Sequence, residues 1–321
     1  MKLATLPDGT PDGRLHLVSR DLTRCAPAEA APTLQAALED WEALAPALAS
    51  EYAALNAGGG APFDAAAALA PLPRAWQWLD GSAFDSHGAL MQKVFKLPPV
   101  DTGGKPLMYQ GVSNQFLAPC ADVPLPSEAD GIDFEGEFGI LTDAVPMGVT
   151  ALKARGHIRL LVQINDWSLR RLAPLEMKTG FGWVQAKPAS SMAPVAVTPD
   201  ELGECWHDAR IDLPLIVDWN GARFGAANGD AMSAGFDDLI AHAAYSRALV
   251  AGTVIGSGTV SNENYREVGS SCIAERRGIE MEDLGEAKTP FMAFGDRVRM
   301  EARLPDGTPL FGAIDQKVVQ G

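Results

Sequence analysis

Residues 132–140 alternate strictly: Ile132, Phe134, Phe138 and Ile140 fall on one side of an extended chain, and Glu135 and Glu137 on the other. This pattern predicts a strand that aims two carboxylates the same way. A second run predicts another strand, in which Ile158, Leu160, Val162 and Ile164 share a face and period two carries Asp166 onto it. A bare buried carboxylate is costly, so Asp166 needs a partner. Val298, Met300, Ala302 and Leu304 alternate with charged residues, while Asn220-Gly221 and Asp306-Gly307 mark hairpin turns. The chain opens with strand-like stretches around Pro7-Asp8-Gly9-Thr10-Pro11 and Leu15-His16-Leu17-Val18.

Helical periodicity is scarcer. Leu34, Leu38, Trp41, Ala45, Leu48, Tyr52 and Leu55 recur at alternating steps of four and three, a stripe that Pro46 is expected to break in two. Helices are also expected over about 150–156 and 237–251, the latter ended by Gly252. A glycine-, alanine- and proline-rich tract ends at Pro73. It divides the chain into a small N-terminal β/α domain, 1–73, and a strand-rich α+β domain, 74–321.

The 321 residues, 47% hydrophobic and 21% charged, suffice for one large core or a large domain plus a small one. A net charge of −15 argues against nucleic acid or an anionic membrane surface as partner. A small anionic substrate then requires local cations. No apolar run has the length of a signal peptide or membrane span, which gives the expectation of a soluble, cytoplasmic protein. Cys25, Cys120, Cys205 and Cys272 form no CxxC pair, so reduced thiols are expected in place of zinc ligands or disulfides.

Chemistry concentrates on acids. Asp80, Glu135, Glu137 and Asp166, if they converge, make an all-oxygen cage for a hard divalent cation. The competing reading of Glu135 and Glu137 is the solvated face of an antiparallel sheet. Two like charges ~4 Å apart repel by about 4 kcal/mol at an effective dielectric near 20, so a buried pair demands a cation or a proton. His87 is a candidate general base, with Asp85 and Asp80 as alternative acids of its loop. Arg170 and Lys187 are candidate anion holders, and Glu275 can either orient His87 or pair with Arg276 or Arg277. Gly256-Ser257-Gly258-Thr259 lacks the lysine and spacing of a phosphate loop, and nothing marks Cys272 as a nucleophile.

In their order along the chain, from about residue 76 onward, these motifs resemble the fumarylacetoacetate hydrolase family. Asp80 with His87 seven residues later resembles its aspartate–histidine pair, and Glu135-Gly136-Glu137 its ExE strand. Asn165-Asp166-Trp167-Ser168-Leu169-Arg170 matches its NDWSxR motif, Lys187 its downstream lysine, Leu107-Met108-Tyr109-Gln110-Gly111 its substrate-contacting tyrosine segment, and Gly258-Thr259-Val260-Ser261 the segment before its catalytic glutamate, best matched by Glu275. The resemblance implies a mixed β-roll behind a small N-terminal domain, a homodimer, and Asp80, Glu135, Glu137 and Asp166 as ligands of Mg²⁺ or Ca²⁺, with Mn²⁺ also compatible. It further implies His87 as base, Glu275 as its orienter, Lys187 and Arg170 as oxyanion holders, and Tyr109, Lys96 (or Lys93) and Thr259 as contacts of a small anionic oxo-acid. Ala173 and Met177 stand where the family's fumarylacetoacetases carry a glutamine and a tyrosine.

The activity so implied is metal-dependent hydrolysis of a carbon–carbon bond in a β-diketone acid such as fumarylacetoacetate or fumarylpyruvate, in the catabolism of aromatic compounds, tyrosine among them. Hydration, dehydration, decarboxylation or tautomerisation of a 2-oxo acid would use the same scaffold. The non-enzymatic alternative is a binding or scaffold protein with solvated acidic strand faces.

Overall fold

The computed structural model describes residues 1–95 and 101–321. Its centre is an eleven-stranded mixed sheet. From one edge the order is Ala61–Pro62, Arg24–Pro27, Arg14–Val18, Lys2–Leu6, Ala196–Val197, Ile158–Asn165, Gly136–Thr142, Thr253–Gly256, Gln77–Gly81 and Met108–Gln110, with Ser191–Met192 also paired to Ile158–Asn165. All these pairs are antiparallel except Thr253–Gly256 with Gln77–Gly81. A five-stranded sheet, Ala222–Asn228, Pro214–Trp219, Arg297–Arg303, Pro309–Gln320 and Val123–Leu125, packs beside it. The result is a strand-rich α+β roll with a small N-terminal unit whose strands continue the main sheet through Lys2↔Val197.

The two faces of the main sheet feed two cores. On one face Leu79, Phe138, Ile140, Leu161 and Ile255 join the core shared with the five-stranded sheet. On the other, Trp78, Leu141, Leu160, Val162, Ile164 and Val254 pack with Leu34, Leu38, Trp41, Leu48 and Tyr52 of the N-terminal helices. Alternation explains the split, since side chains one residue apart leave opposite faces. Ile158 departs from its expected face because the register shifts between Ile158 and Leu160, and it joins the first core.

Two helix expectations are corrected. The N-terminal stripe breaks at Asp40, between Leu34–Glu39 and Trp41–Ala57, and Pro46 lies inside the second helix. Pro46 and Glu42 are both exposed, so the carbonyl deprived of its donor faces water. The helix expected over 237–251 is Phe236–Ala243 only. Beyond it Leu249 exchanges backbone hydrogen bonds with Val145, a pairing that local periodicity does not reveal. The helices Asp85–Phe95, Ala173–Thr179 and Ile273–Leu284 were not expected. The last of these buries Glu275 and Gly278 beside Ile273 and Ile279, so its inner face is not an apolar stripe. The cysteines are free thiols, and among the described residues no helix is long and apolar enough to cross a membrane.

Candidate metal and acid–base site

Alternation along three strands delivers the central acids to one place. Asp80 leaves the face of Trp78, Glu137 that of Leu141, and Asp166 continues the face of Ile164, which pairs with Glu137. Ligand oxygens of Asp80, Glu137 and Asp166 lie within 4.8 Å of one another, and all three side chains are buried. Gly256 is paired with Asp80, and the absence of a side chain there makes the room: a Cβ would sit 2.4 Å from Asp80 Oδ1 and 2.9 Å from Glu137 Oε2.

These acids differ in their partners. Asp166 accepts Tyr109 Oη at 2.5 Å, Lys187 Nζ at 2.5 Å and Ser190 Oγ at 2.7 Å, and Asp80 accepts the Gly258 amide at 3.1 Å. Among the described residues neither oxygen of Glu137 has a hydrogen-bond partner, although the side chain is fully buried. Burial, then the charge of Asp166, holds the Asp80 carboxyl well above the ordinary carboxylate range; burial, then Asp80 and Asp166, does the same to Glu137. A buried carboxylate left bare costs several kcal/mol unless it is protonated or bound to a cation. Ligand oxygens converging from three buried carboxylates, with those of Glu137 unmet by any donor among the described residues, fit a hard divalent ion such as Mg²⁺, Ca²⁺ or Mn²⁺.

Glu135, one residue before Gly136, is in the opposite condition. It accepts Ser168 Oγ and Thr259 Oγ1, each at 2.6 Å, and Lys187 Nζ at 2.9 Å. Arg170 Nη2 also lies 2.8 Å away, without the alignment of a hydrogen bond. Burial alone would raise its carboxyl, but Arg170, Lys187 and the two hydroxyls hold it well below the usual range. Glu135 is therefore a permanent anion flanking the three-carboxylate group, and Thr259 is engaged with it. Lys187 stays charged despite burial because Asp166 and Glu135 outweigh the desolvation. Its ammonium also lies 5.3 Å from the centre of the Tyr109 ring, which meets Trp183 edge-on at 6.0 Å.

His87 and Glu275 meet from the helices Asp85–Phe95 and Ile273–Leu284, Nδ1 to Oε1 at 3.4 Å. Glu275 is fully buried. Arg276 and Arg277 turn instead to the carbonyls of Phe224 and Thr289. One segment links the two halves of the site: the Gly258 amide reaches Asp80, Thr259 reaches Glu135 and Ser261 reaches Glu275. Gly258 adopts φ +78°, and a Cβ there would meet the Gly81 carbonyl at 2.5 Å.

Other sequence candidates lie elsewhere. Asp85 accepts Ser233 Oγ at the start of its helix, and Lys93 pairs with Glu282 at the surface. Lys96 lies outside the described residues. Ala173 opens the helix Ala173–Thr179, on which Leu175 and Met177 are exposed, as are Phe181 and Val184 after it. Sequence reasoning missed Asp133, which accepts Arg170 Nε at 2.7 Å and the Ile273 and Ala274 amides at 2.7 and 2.9 Å, so it caps the helix carrying Glu275. Its signal was present, because 133 shares the parity of 135 and 137. Glu176 was missed too: it takes the amides of Val184, Gln185 and Ala186 and so fixes the approach to Lys187.

The family model described as fumarylacetoacetate (FAA) hydrolase C-terminal matches residues 77–319, and that described as fumarylacetoacetase N-terminal domain 2 matches residues 1–74. No curated protein matches the chain. Among solved structures, a protein described as HpcE from Mycobacterium smegmatis is 21% identical with a TM-score of 0.70, over 100% of both chains. Maleylpyruvate hydrolase from Sphingobium sp. SYK-6, in complex with manganese(II) ion and pyruvate, is 18% identical with a TM-score of 0.66, again over 100% of both. 5-Carboxymethyl-2-hydroxymuconate delta-isomerase from Mycobacterium smegmatis is 16% identical with a TM-score of 0.63, covering 100% of this chain and 99% of that one. At these identities the likeness is one of fold.

Proposed function

The chain belongs to the fumarylacetoacetate hydrolase family, and on that premise we propose that it hydrolyses a carbon–carbon bond in a β-diketone acid of the fumarylacetoacetate or fumarylpyruvate kind, within aromatic-compound catabolism. The observation that carries this reading is the His87–Glu275 pair, joined through residues 258–261 to the buried carboxylate group. A cation and a water-activating base are the two things the reaction needs. Asp80, Glu137 and Asp166, with Glu135 beside them, would hold a divalent ion, which supplies Lewis acidity toward the diketone oxygens when bound.

The protein's own groups do the rest. Glu275 accepts from His87 Nδ1, which leaves Nε2 free to take a proton from water. Lys187, fixed by Asp166 and Glu135, keeps a positive charge where an oxyanion develops. Arg170 is divided between Asp133 and Glu135, so it steadies the frame around Lys187. Leu175, Met177, Phe181 and Val184 give the nearby loop an apolar character, consistent with discrimination among substrates by the far end of the acid.

An absorbance assay with freshly made fumarylacetoacetate and fumarylpyruvate, with and without Mg²⁺ or Mn²⁺, tests the reading. Metal-dependent cleavage is expected, reduced about 10²–10⁴-fold in His87→Ala and Glu275→Gln. If neither substrate is cleaved but a 2-oxo acid is decarboxylated or tautomerised with the same metal dependence, the reaction is that of the second reading, in which the dyad matters less.

A further inference from the structure

Glu275 is anchored in an asymmetric way. Its Oε2 has no hydrogen-bond partner among the described residues. Its Oε1 takes the Ser261 hydroxyl at 2.5 Å and stands 3.4 Å from His87 Nδ1. A charge-assisted N–H···O bond is ordinarily ~2.7–2.9 Å, so the histidine is the looser of the two partners. The last torsion of a glutamate is soft, and a carboxylate can present either oxygen. The short bond that decides which one faces His87 comes from Ser261.

Ser261 is itself fully buried, and its oxygen accepts the Ser86 hydroxyl at 2.8 Å. Ser86 precedes His87 on the first turn of the same helix, so that turn carries both the base and the brace behind the base's partner. The turn is pinned in its own right, since Asp85 accepts Ser233 Oγ at 2.8 Å and the Ser233 amide reaches the Ala83 carbonyl. Ser86 ends the chain of hydroxyls at the wall of a cavity of about 350 Å³, also lined by Lys93, Tyr265 and Glu282, which shares no lining residue with the carboxylate group.

We propose that Ser261, braced by Ser86, is the positioning residue of the His87–Glu275 pair: it fixes the carboxylate oxygen that faces the imidazole and thereby keeps the neutral ring protonated on Nδ1. The inference deepens the reading of His87 as base and rests on it. A neutral imidazole carries one proton, and only the tautomer with that proton on Nδ1 leaves Nε2 able to accept another. Without the Ser261 hydroxyl the carboxylate is free to turn, the Nδ1 proton loses its fixed acceptor, and the two tautomers mix.

The test is ¹⁵N NMR of the full chain labelled at histidine, recorded above the imidazole titration, where the five histidines are few enough to assign His87 by its loss in His87→Gln. The wild type is expected to show the Nδ1-protonated pattern. Ser261→Ala is expected to move both ring signals toward the average of the two tautomers, Ser261→Thr to restore them, and Ser86→Ala to shift them the same way by less. In turnover assays Ser261→Ala is expected to lower kcat about 10–100-fold at unchanged KM, with the threonine variant within about threefold of wild type.

Unchanged His87 signals in a folded Ser261→Ala overturn the proposal. So does a shift that Ser261→Thr fails to reverse and Ser86→Ala does not share, because that assigns the effect to packing. If Ser261→Ala does not fold, Ser86→Ala decides alone, since it leaves the buried acid and its direct partner in place. The NMR result needs no substrate: a tautomer shift together with no diketone cleavage keeps the positioning role and removes the hydrolase reading.

Discussion

Glu135 and Glu137 stand one residue apart and reach opposite electrostatic states. Three hydrogen-bond donors and the Arg170 guanidinium surround Glu135, while Glu137 is buried among acids with neither oxygen partnered among the described residues. Neutralising Glu137 should therefore relieve the metal-free protein and harm the loaded one. Glu137→Gln is expected to raise the metal-free Tm by a few degrees and to lose most of the stabilisation that Mg²⁺ or Mn²⁺ gives wild type, about 2.7 kcal/mol at a hundredfold excess over Kd. Thermal melts of both proteins with and without ion check this. The pH dependence follows with its sign. Asp80 and Glu137 carry folded-state pKa values raised by burial and like charge. Without metal the folded state thus binds more protons than the unfolded chain, and their contribution to stability falls as pH rises from the ordinary carboxylate range through the raised values. Metal competes with those protons, so the metal-induced rise in Tm should grow with pH across that window. A shift that shrinks with pH would contradict the assignment. Asp80, Glu135, Glu137, Asp166, His87 and Glu275 were all visible as residues of interest, because alternation and short motifs mark them. Asp133 was not singled out, and Gly256 and Ser261 entered only inside motif segments, with no role of their own. Each acts on a partner far away in sequence, as Asp133 does on the amides of Ile273 and Ala274, and nothing local records that pairing.

Strands were far more legible than helices. Residues 132–140 and 298–304 announce themselves by period two, and Asn220-Gly221 forms its hairpin with both residues at positive φ, 50° and 78°. Helix Ile273–Leu284 hid because its buried side is spent on Glu275 and on Gly278, where a Cβ would press to 2.7 Å from Met91 Cε. What fixes that helix is its first turn, capped by Cys272 Sγ on the Glu275 amide and by Asp133 on the two preceding amides. Asp133→Ala would leave those two amides and Arg170 without their buried acceptor. A loss of roughly 3–5 kcal/mol is expected, about 4–7 °C in Tm, together with reduced activity through misplacement of Glu275. Calorimetry alongside the diketone assay measures both. A variant as stable as wild type would show that the cap is dispensable.

On the scale of the whole molecule, the N-terminal residues are the second cover of the central sheet. Leu34, Leu38, Trp41 and Tyr52 pack on Leu160, Val162 and Ile164, the side-chain row that leads to Asp166. Lys2 ties the seam, with its ammonium 2.6 Å from the Arg20 carbonyl and 2.5 Å from that of Pro309. A composition-based boundary near residue 73 identifies where the chain changes character, but composition says nothing of which strands will pair across it. The pairing of Lys2–Leu6 with Ala196–Val197 has a consequence for the order in which the protein comes into being. During synthesis the first strand leaves the ribosome about 190 residues before its neighbour exists, and such long-range closure is slow. For that interval one edge of the early hairpin is an open template and the helices Leu34–Glu39 and Trp41–Ala57 have no sheet face to cover. A fragment of residues 1–74 is expected to aggregate or stay unfolded when expressed alone, as circular dichroism and sedimentation would report, and to become soluble and ordered when residues 75–321 are supplied in trans. The nascent chain should then depend on holdase chaperones until the strand at Ala196 arrives.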